Sequence, residues 1–149
     1  MKFKKSNSMN AGTIVLIDDD HEDLELLKDA LSSLDVQNKI VTFDNASDAI
    51  QYFNESIEPL FFILCDINMP QTDGFALRRI LFENERLRIS TVPFLFLSTS
   101  DEYPSIYKSY CLSIQGYFVK PTSFEEMREM LKHIINYWSF SHTPGRNVV

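Results

Sequence analysis

Hydrophobic residues occur along this chain in short runs that alternate with segments of helical spacing. The runs are rich in β-branched and aromatic residues, and five of them are predicted to be strands: residues 13–17, 39–43, 60–65, 94–97 and 116–119. After each run, apolar side chains recur with the period of an amphipathic helix. The pattern therefore predicts five strands that alternate with five helices.

Capping residues support the start of three of these helices. Asp20 and Asn45 each precede a segment of helical spacing, and Ser123 with Glu126 forms a capping box before the last helix. A weaker helix is predicted at about residues 104–111, where tyrosines recur.

The helix that follows Gly74 has a clear apolar stripe, formed by Phe75, Leu77, Ile80 and Leu81. The two arginines in this segment lie between the apolar positions. The pattern therefore places Arg78 and Arg79 on the solvent side of the helix.

Alternating strands and helices predict right-handed βαβ units, which form a parallel sheet with helices on both faces. The fold class is α/β, and the length leaves room for one domain. We assign residues 12–138 to this domain. Residues 1–11 and 139–149 are predicted to be flexible tails, the first rich in Lys, Ser and Asn and the second containing Pro144 and Gly145.

Composition excludes several classes of function. The chain has 149 residues and a net charge of −7, which argues against nonspecific binding to nucleic acid, since that needs a basic surface. No apolar run approaches the roughly 20 residues of a membrane span, and residues 1–10 lack the apolar core of a signal peptide. Cys65 and Cys111 lie far apart and are predicted to be free thiols. We expect a cytoplasmic protein that is not bound to a membrane.

Polar residues follow the predicted strands at the points where the strands end. The first strand is followed by Asp18 and Asp19, the third by Asp66, the fourth by Ser98 and the fifth by Lys120. Ligands in open α/β sheets bind at the carboxyl ends of the strands, so these side chains are expected to share one pocket.

This set of groups suits phosphoryl transfer to a carboxylate. Three neighbouring carboxylates repel each other unless a cation compensates, and Mg²⁺ prefers oxygen ligands. An ammonium and a hydroxyl can bind a phosphoryl group, and an aspartate can accept one as an acyl phosphate. Taken singly, each residue has an ordinary explanation: the acidic residues can favour a helix N-terminus or start a turn, and Ser98 and Lys120 can be solvated surface residues. Together they predict a phosphoaspartate site.

Four motifs carry a resemblance to a known family. They are residues 14–20 (Ile-Val-Leu-Ile-Asp-Asp-Asp), 65–74 (Cys-Asp-Ile-Asn-Met-Pro-Gln-Thr-Asp-Gly), 92–98 (Val-Pro-Phe-Leu-Phe-Leu-Ser) and 116–121 (Gly-Tyr-Phe-Val-Lys-Pro). The chain resembles the receiver domain of two-component response regulators, from residue 13 to about residue 138. The resemblance implies a flavodoxin-like, doubly wound (βα)5 fold with sheet order 2-1-3-4-5.

The resemblance also implies a role for each site residue. Asp66 would be the phosphoacceptor, Ser98 and Lys120 would bind the phosphoryl group, and Ser98 with Tyr117 would form the switch. The Mg²⁺ ligands would be Asp19, Asp66 and the backbone carbonyl of Asn68, with Asp18 acting through water. The bond between Lys120 and Pro121 would be cis. Tyr117 can equally be a core residue, and the tyrosines at 103, 107 and 110 can form a partner surface or pack locally.

The resemblance implies partners as well. A sensor histidine kinase or a histidine phosphotransfer protein would phosphorylate Asp66, and the chain would have no DNA-binding or other output domain. It would then be an adaptor that binds a downstream protein, or a relay that passes the phosphoryl group on. A phosphohydrolase is the alternative from another class, but such enzymes place an acidic residue where this chain has Asn68. A receiver that binds partners without phosphorylation is disfavoured by Asp18, Asp19 and Lys120. We therefore expect a protein that is not a turnover enzyme.

Overall fold

A computed structural model of the chain describes residues 11–146. Its strands are β1 (Thr13–Ile17), β2 (Ile40–Phe43), β3 (Leu60–Cys65), β4 (Phe94–Ser98) and β5 (Gly116–Val119). Its helices are α1 (His21–Ser33), α2 (Ala46–Glu55), α3 (Gly74–Glu83), α4 (Tyr103–Cys111) and α5 (Phe124–Phe140), with a 3-10 turn at Glu85–Leu87. Within this part of the chain, no helix is both long enough and apolar enough to cross a membrane.

The five strands form one parallel sheet in the order β2-β1-β3-β4-β5, which confirms the predicted fold class and strand order. One face of the sheet packs against α2 and α3, and the other packs against α1 and α5. The three central strands are buried on both faces, as their continuous apolar sequences predict.

The register brings the predicted site residues to one edge of the sheet. Ile17 of β1 pairs with Cys65 of β3, so the residues that follow them, Asp18 and Asp66, leave the sheet side by side. Cys65 pairs with Phe96 of β4, and Ser98 pairs with Val119 of β5, which directly precedes Lys120. The position of the site therefore follows from strand order and register.

Arg78 corrects the predicted orientation of α3. Its side chain is fully buried, whereas Ile80, assigned to the apolar stripe, is 40% exposed. The guanidinium donates hydrogen bonds to the carbonyls of Leu112 and Ser113 at 3.0 and 2.7 Å, and it lies over the rings of Phe82 and Phe94. Burial lowers the pKa of Arg78 to about 10, so the side chain stays charged at neutral pH. Arg78 thus fastens the C-terminal end of α4 to α3, while Arg79 is exposed as predicted.

Replacing Arg78 with lysine should destabilise the fold by about 1–3 kcal/mol, because one ammonium on a flexible stem cannot replace a fork that bonds two carbonyls. Arg79→Lys, the matched change at the exposed neighbour, should stay within about 0.5 kcal/mol of the wild type. Urea unfolding followed by circular dichroism measures both effects. Equal stability of the two variants would show that the buried fork contributes nothing specific.

The C-terminal segment also differs from its prediction. A flexible tail was expected from residue 139, but α5 continues to Phe140 and Arg146 is buried. The guanidinium of Arg146 donates to the backbone carbonyls of Phe53, Ser56 and Leu87, which lie across the sheet from α5. Gly145 and Arg146 are therefore packed against the domain, whereas Phe140 at the end of α5 is exposed. The remaining tail predictions concern residues 1–10 and 147–149, which lie outside the described part of the chain.

Two further expectations concern covalent geometry. No peptide bond in residues 11–146 is cis. The prediction of a cis Lys120–Pro121 bond, which the resemblance implied, was therefore wrong. Cys65 is buried, Cys111 is exposed and both are free thiols, as predicted.

Candidate functional site

Three carboxylates converge at the C-terminal edge of β1 and β3. Asp18, Asp19 and Asp66 each offer an oxygen, and these oxygens all lie within 4.8 Å of one another. Asp18 and Asp66 are buried, whereas Asp19 is exposed. The structure therefore brings together the three side chains that the sequence predicted as an acidic cluster.

Asp66 is held rigidly at the end of β3. Its backbone N–H donates to the Ile17 carbonyl at 2.8 Å, and its own Oδ1 accepts from the backbone N–H of Ile67 at 2.9 Å. The pKa of Asp66 is raised from 3.8 to about 6; burial is the largest cause, the charge of Asp18 acts in the same direction, and Lys120 opposes both effects. The carboxyl group is therefore mostly ionised above neutral pH, the form that a nucleophile requires.

Lys120 supplies the positive charge of the pocket. Its Nζ lies 2.8 Å from Asp18 Oδ2 and 3.6 Å from Asp66 Oδ1. Burial would lower the pKa of Lys120, but its hydrogen bonds to Asp18 and Asp23 outweigh burial and raise it above the ordinary value. Burial also raises the pKa of Asp18, against the opposing effect of its hydrogen bond from Lys120. Lys120 is thus a permanent cation beside the predicted acceptor.

Ser98 and Tyr117 are linked through the segment that connects β4 to α4. The buried Ser98 Oγ accepts a hydrogen bond from the backbone N–H of Ser100 at 3.2 Å. The Tyr117 hydroxyl in turn donates to the Ser100 carbonyl at 2.7 Å and lies 3.0 Å from Ser105 Oγ in α4. Tyr117 is half-buried and packs against the core, so it connects the predicted phosphoryl contact to α4.

The loop after Asp66 contains a constraint that the sequence did not reveal. Asn68 is exposed in this loop, and the assignment of its backbone carbonyl as a metal ligand stays a prediction. Gly74 is the first residue of α3. A Cβ at this position would lie 2.4 Å from the Asp66 carbonyl oxygen, and the Gly74 N–H donates to the Ile67 carbonyl at 2.7 Å. Gly74 therefore permits α3 to begin directly against Asp66, and the Asp73 side chain caps the first turn of the helix.

Asp23 is a site residue that the sequence analysis missed. It lies in the first turn of α1, where the sequence indicates only a helix start, and its Oδ2 is 2.8 Å from Lys120 Nζ. The available signal was its position one turn after Asp20, which places both residues near the same end of the helix.

The donor set fits a hard divalent cation. Carboxylate oxygens that converge around one point, two of them on buried side chains, gain from a cation that offsets their repulsion. Asp18, Asp19 and Asp66 would hold Mg²⁺ here. Lys120, which pairs with Asp18 and Asp23 and lies 3.6 Å from Asp66, is the cation closest to an anionic group bound at Asp66 among the contacts described above.

Comparison with known proteins identifies the family. The sequence profile described as "Response regulator receiver domain" matches residues 14–132, which is most of the chain. The chain belongs to the response regulator receiver family. Asp18, Asp19 and Asp66 lie within the matched range, as do all five strands apart from the first residue of β1.

The receiver is similar to proteins from several organisms. It is 27% identical over 139 residues to a probable methanogenesis regulatory protein, FilR2, of Methanothrix harundinacea, covering 89% of this chain and 87% of FilR2. Several larger response regulators also match, and the chain spans only 17–18% of their length.

Solved structures show the same fold. The phosphorylated cyanobacterial phytochrome response regulator RcpA superposes with a TM-score of 0.79 at 27% identity, covering 89% of this chain and 98% of RcpA. The receiver domain of the sensor histidine kinase PA1611 of Pseudomonas aeruginosa superposes with a TM-score of 0.71 at 21% identity, covering 88% and 99% of the two chains. That structure has a magnesium ion coordinated in its active site cleft.

Proposed function

We propose that this receiver accepts a phosphoryl group on Asp66 in a Mg²⁺-dependent reaction and changes its protein contacts in response. The observation that carries the proposal is the arrangement around Asp66. Oxygens of Asp18 and Asp19 lie within 4.8 Å of an Asp66 oxygen, and the Lys120 ammonium lies 3.6 Å from Asp66 Oδ1.

The chain's own residues account for the transfer step. An ionised Asp66 oxygen attacks the phosphorus of a phosphohistidine, the P–N bond breaks, and a P–O bond to Asp66 forms. Lys120 and Ser98 stabilise the charge on the phosphoryl oxygens. The alignment of the Asp66 oxygen with the phosphorus atom supplies the rest of the rate acceleration. Mg²⁺, when bound by Asp18, Asp19 and Asp66, supplies further charge neutralisation. Hydrolysis of the acyl phosphate returns the receiver to its resting state. The proposed role is that of a phosphoacceptor whose phosphorylated state carries the signal, and not that of an enzyme that turns over phosphate esters.

The response follows the path of hydrogen bonds from Ser98 to α4. A phosphoryl group on Asp66 would accept a hydrogen bond from the Ser98 hydroxyl. Movement of Ser98 toward that group would stretch the hydrogen bond that its Oγ accepts from the Ser100 N–H, and Ser100 is bonded to Tyr117. The charge added at Asp66 thus shifts the population of the segment that carries Tyr117 and α4. The donor is a sensor histidine kinase or a histidine phosphotransfer protein. The receiver then binds a downstream protein or passes the phosphoryl group on.

Labelling with a small-molecule phosphodonor such as acetyl phosphate tests this proposal. We expect an acid-stable, alkali-labile phosphate that forms with Mg²⁺ and does not form when EDTA removes the metal. Labelling that proceeds equally well in EDTA would contradict the assigned role of the carboxylate cluster. Continuous turnover of a phosphate ester would contradict the assignment as a non-enzymatic acceptor.

A further inference from the structure

Asp23 gives the Lys120 ammonium a second carboxylate partner. Asp23 Oδ2 and Asp18 Oδ2 both lie 2.8 Å from Nζ, whereas Asp66 Oδ1 lies 3.6 Å away. A separation of 3.6 Å is too long for a hydrogen bond. The ammonium is therefore hydrogen-bonded to Asp18 and Asp23, and its contact with Asp66 is a longer ion pair without a hydrogen bond.

Asp23 and Asp18 differ in what would offset their charge if Lys120 moved toward a phosphoryl group on Asp66. Asp18 belongs to the carboxylate cluster, so a bound cation would offset any loss of its contact with Lys120. Asp23 is not part of that cluster, and its side chain is 33% exposed. Water, which reaches the partly exposed side chain, would replace Lys120 at Asp23 and would neutralise its charge less well than the ammonium does. Loss of this contact is therefore a cost to any process that withdraws the ammonium.

On the basis of the proposed function, we propose that Asp23 is a positioning residue that competes with the phosphoryl group for Lys120 and so weakens the hold of the site on that group. The phosphoryl oxygens on Asp66 draw the ammonium away from Asp23. The contact with Asp23 is strongest in the resting state, so its free energy is subtracted from the free energy of phosphoryl binding. Asp23 thereby favours an unphosphorylated receiver and a shorter-lived acyl phosphate.

Removal of Asp23 changes the affinity for a phosphoryl group in opposite directions for a competitor and for a residue with a structural role. Loss of a residue that merely supports the pocket would weaken binding of a phosphoryl group. Loss of a competitor strengthens it. A partly exposed ion pair of this kind changes an equilibrium by about two- to five-fold.

Beryllofluoride, an anion that binds aspartate as a mimic of the phosphoryl group, provides the test. Its affinity for the full chain is measured by calorimetric titration with saturating Mg²⁺, for the wild type, Asp23→Asn, Asp23→Ala and Glu22→Gln. We expect both Asp23 variants to bind about two- to five-fold more tightly than the wild type and to lose phosphate more slowly after labelling. Glu22→Gln removes the same charge from an exposed neighbour in the same helical turn, and it should change the affinity less than the Asp23 variants do.

Each other outcome overturns the inference. Equal or weaker binding by the Asp23 variants would show that Asp23 supports the pocket or has no role. An equal gain in Glu22→Gln would show an effect of net charge alone. If the wild type binds no beryllofluoride with Mg²⁺, the proposed function fails together with the competition, whereas binding that is unchanged by Asp23→Asn overturns only the competition.

Discussion

Lys120→Met should separate metal binding from phosphoryl transfer: its affinity for Mg²⁺ should equal or exceed that of the wild type, while its rate of phosphoryl uptake falls by about 10²- to 10³-fold. The Lys120 ammonium lies 2.8 Å from Asp18 and 3.6 Å from Asp66, so it repels a cation bound by these carboxylates. The same charge stabilises the transferred phosphoryl group. Removal of the charge therefore helps one process and harms the other.

Two measurements check this separation. Titration with Mg²⁺ gives the metal affinity, and the rate of labelling by a phosphodonor gives the uptake. Lys132→Met provides the matched control, because Lys132 is an exposed cation of α5. That control should leave both quantities close to the wild type. Parallel loss of metal binding and labelling in Lys120→Met would show that the lysine mainly maintains the fold of the pocket.

Asp66→Asn should abolish labelling and, at the same time, stabilise the metal-free receiver at about pH 8 by an amount on the order of 2 kcal/mol. The pKa of Asp66 is raised from 3.8 to about 6 in the folded protein, chiefly by burial. A raised carboxyl pKa means that the folded state binds a proton more tightly than the unfolded state. The stability associated with this group is therefore complete below about pH 4 and is lost as pH rises through about 6.

Asparagine has no charge to bury, so the gain from Asp66→Asn should be largest above about pH 7 and should vanish near pH 4. Urea unfolding in EDTA at several pH values measures this dependence. Asp29→Asn replaces an exposed carboxylate on α1 and serves as the matched control, whose stability at pH 8 should stay within about 0.5 kcal/mol of the wild type. A variant at Asp66 that is less stable than the wild type at high pH would show that the carboxylate is well compensated without metal.

The strands were predictable because their apolar runs are continuous and end in distinctive polar residues. The parallel sheet has one edge where all such ends meet, so Asp18, Asp66, Ser98 and Lys120 could be placed near one another from sequence alone. Strand order itself depended on the resemblance to a family.

Contacts between distant segments could not be predicted in this way. The helical pattern of α3 treats an arginine as a polar position, but Arg78 is buried because two carbonyls after α4 accept its N–H groups. Arg146 likewise meets carbonyls of α2 and of the 3-10 turn. Asp23 was missed for the same reason, since its role depends on how far the Lys120 side chain reaches across the pocket.

Identification of the phosphorylated residue tests the central claim most directly. Borohydride reduces an acyl phosphate to an alcohol, so it converts a phosphorylated aspartate to homoserine, which mass spectrometry of peptides can locate. After labelling with acetyl phosphate and Mg²⁺, we predict homoserine at position 66 and at no other aspartate. Homoserine at Asp18, Asp19 or Asp73, or a stable phosphate on a serine with position 66 unmodified, would contradict the account.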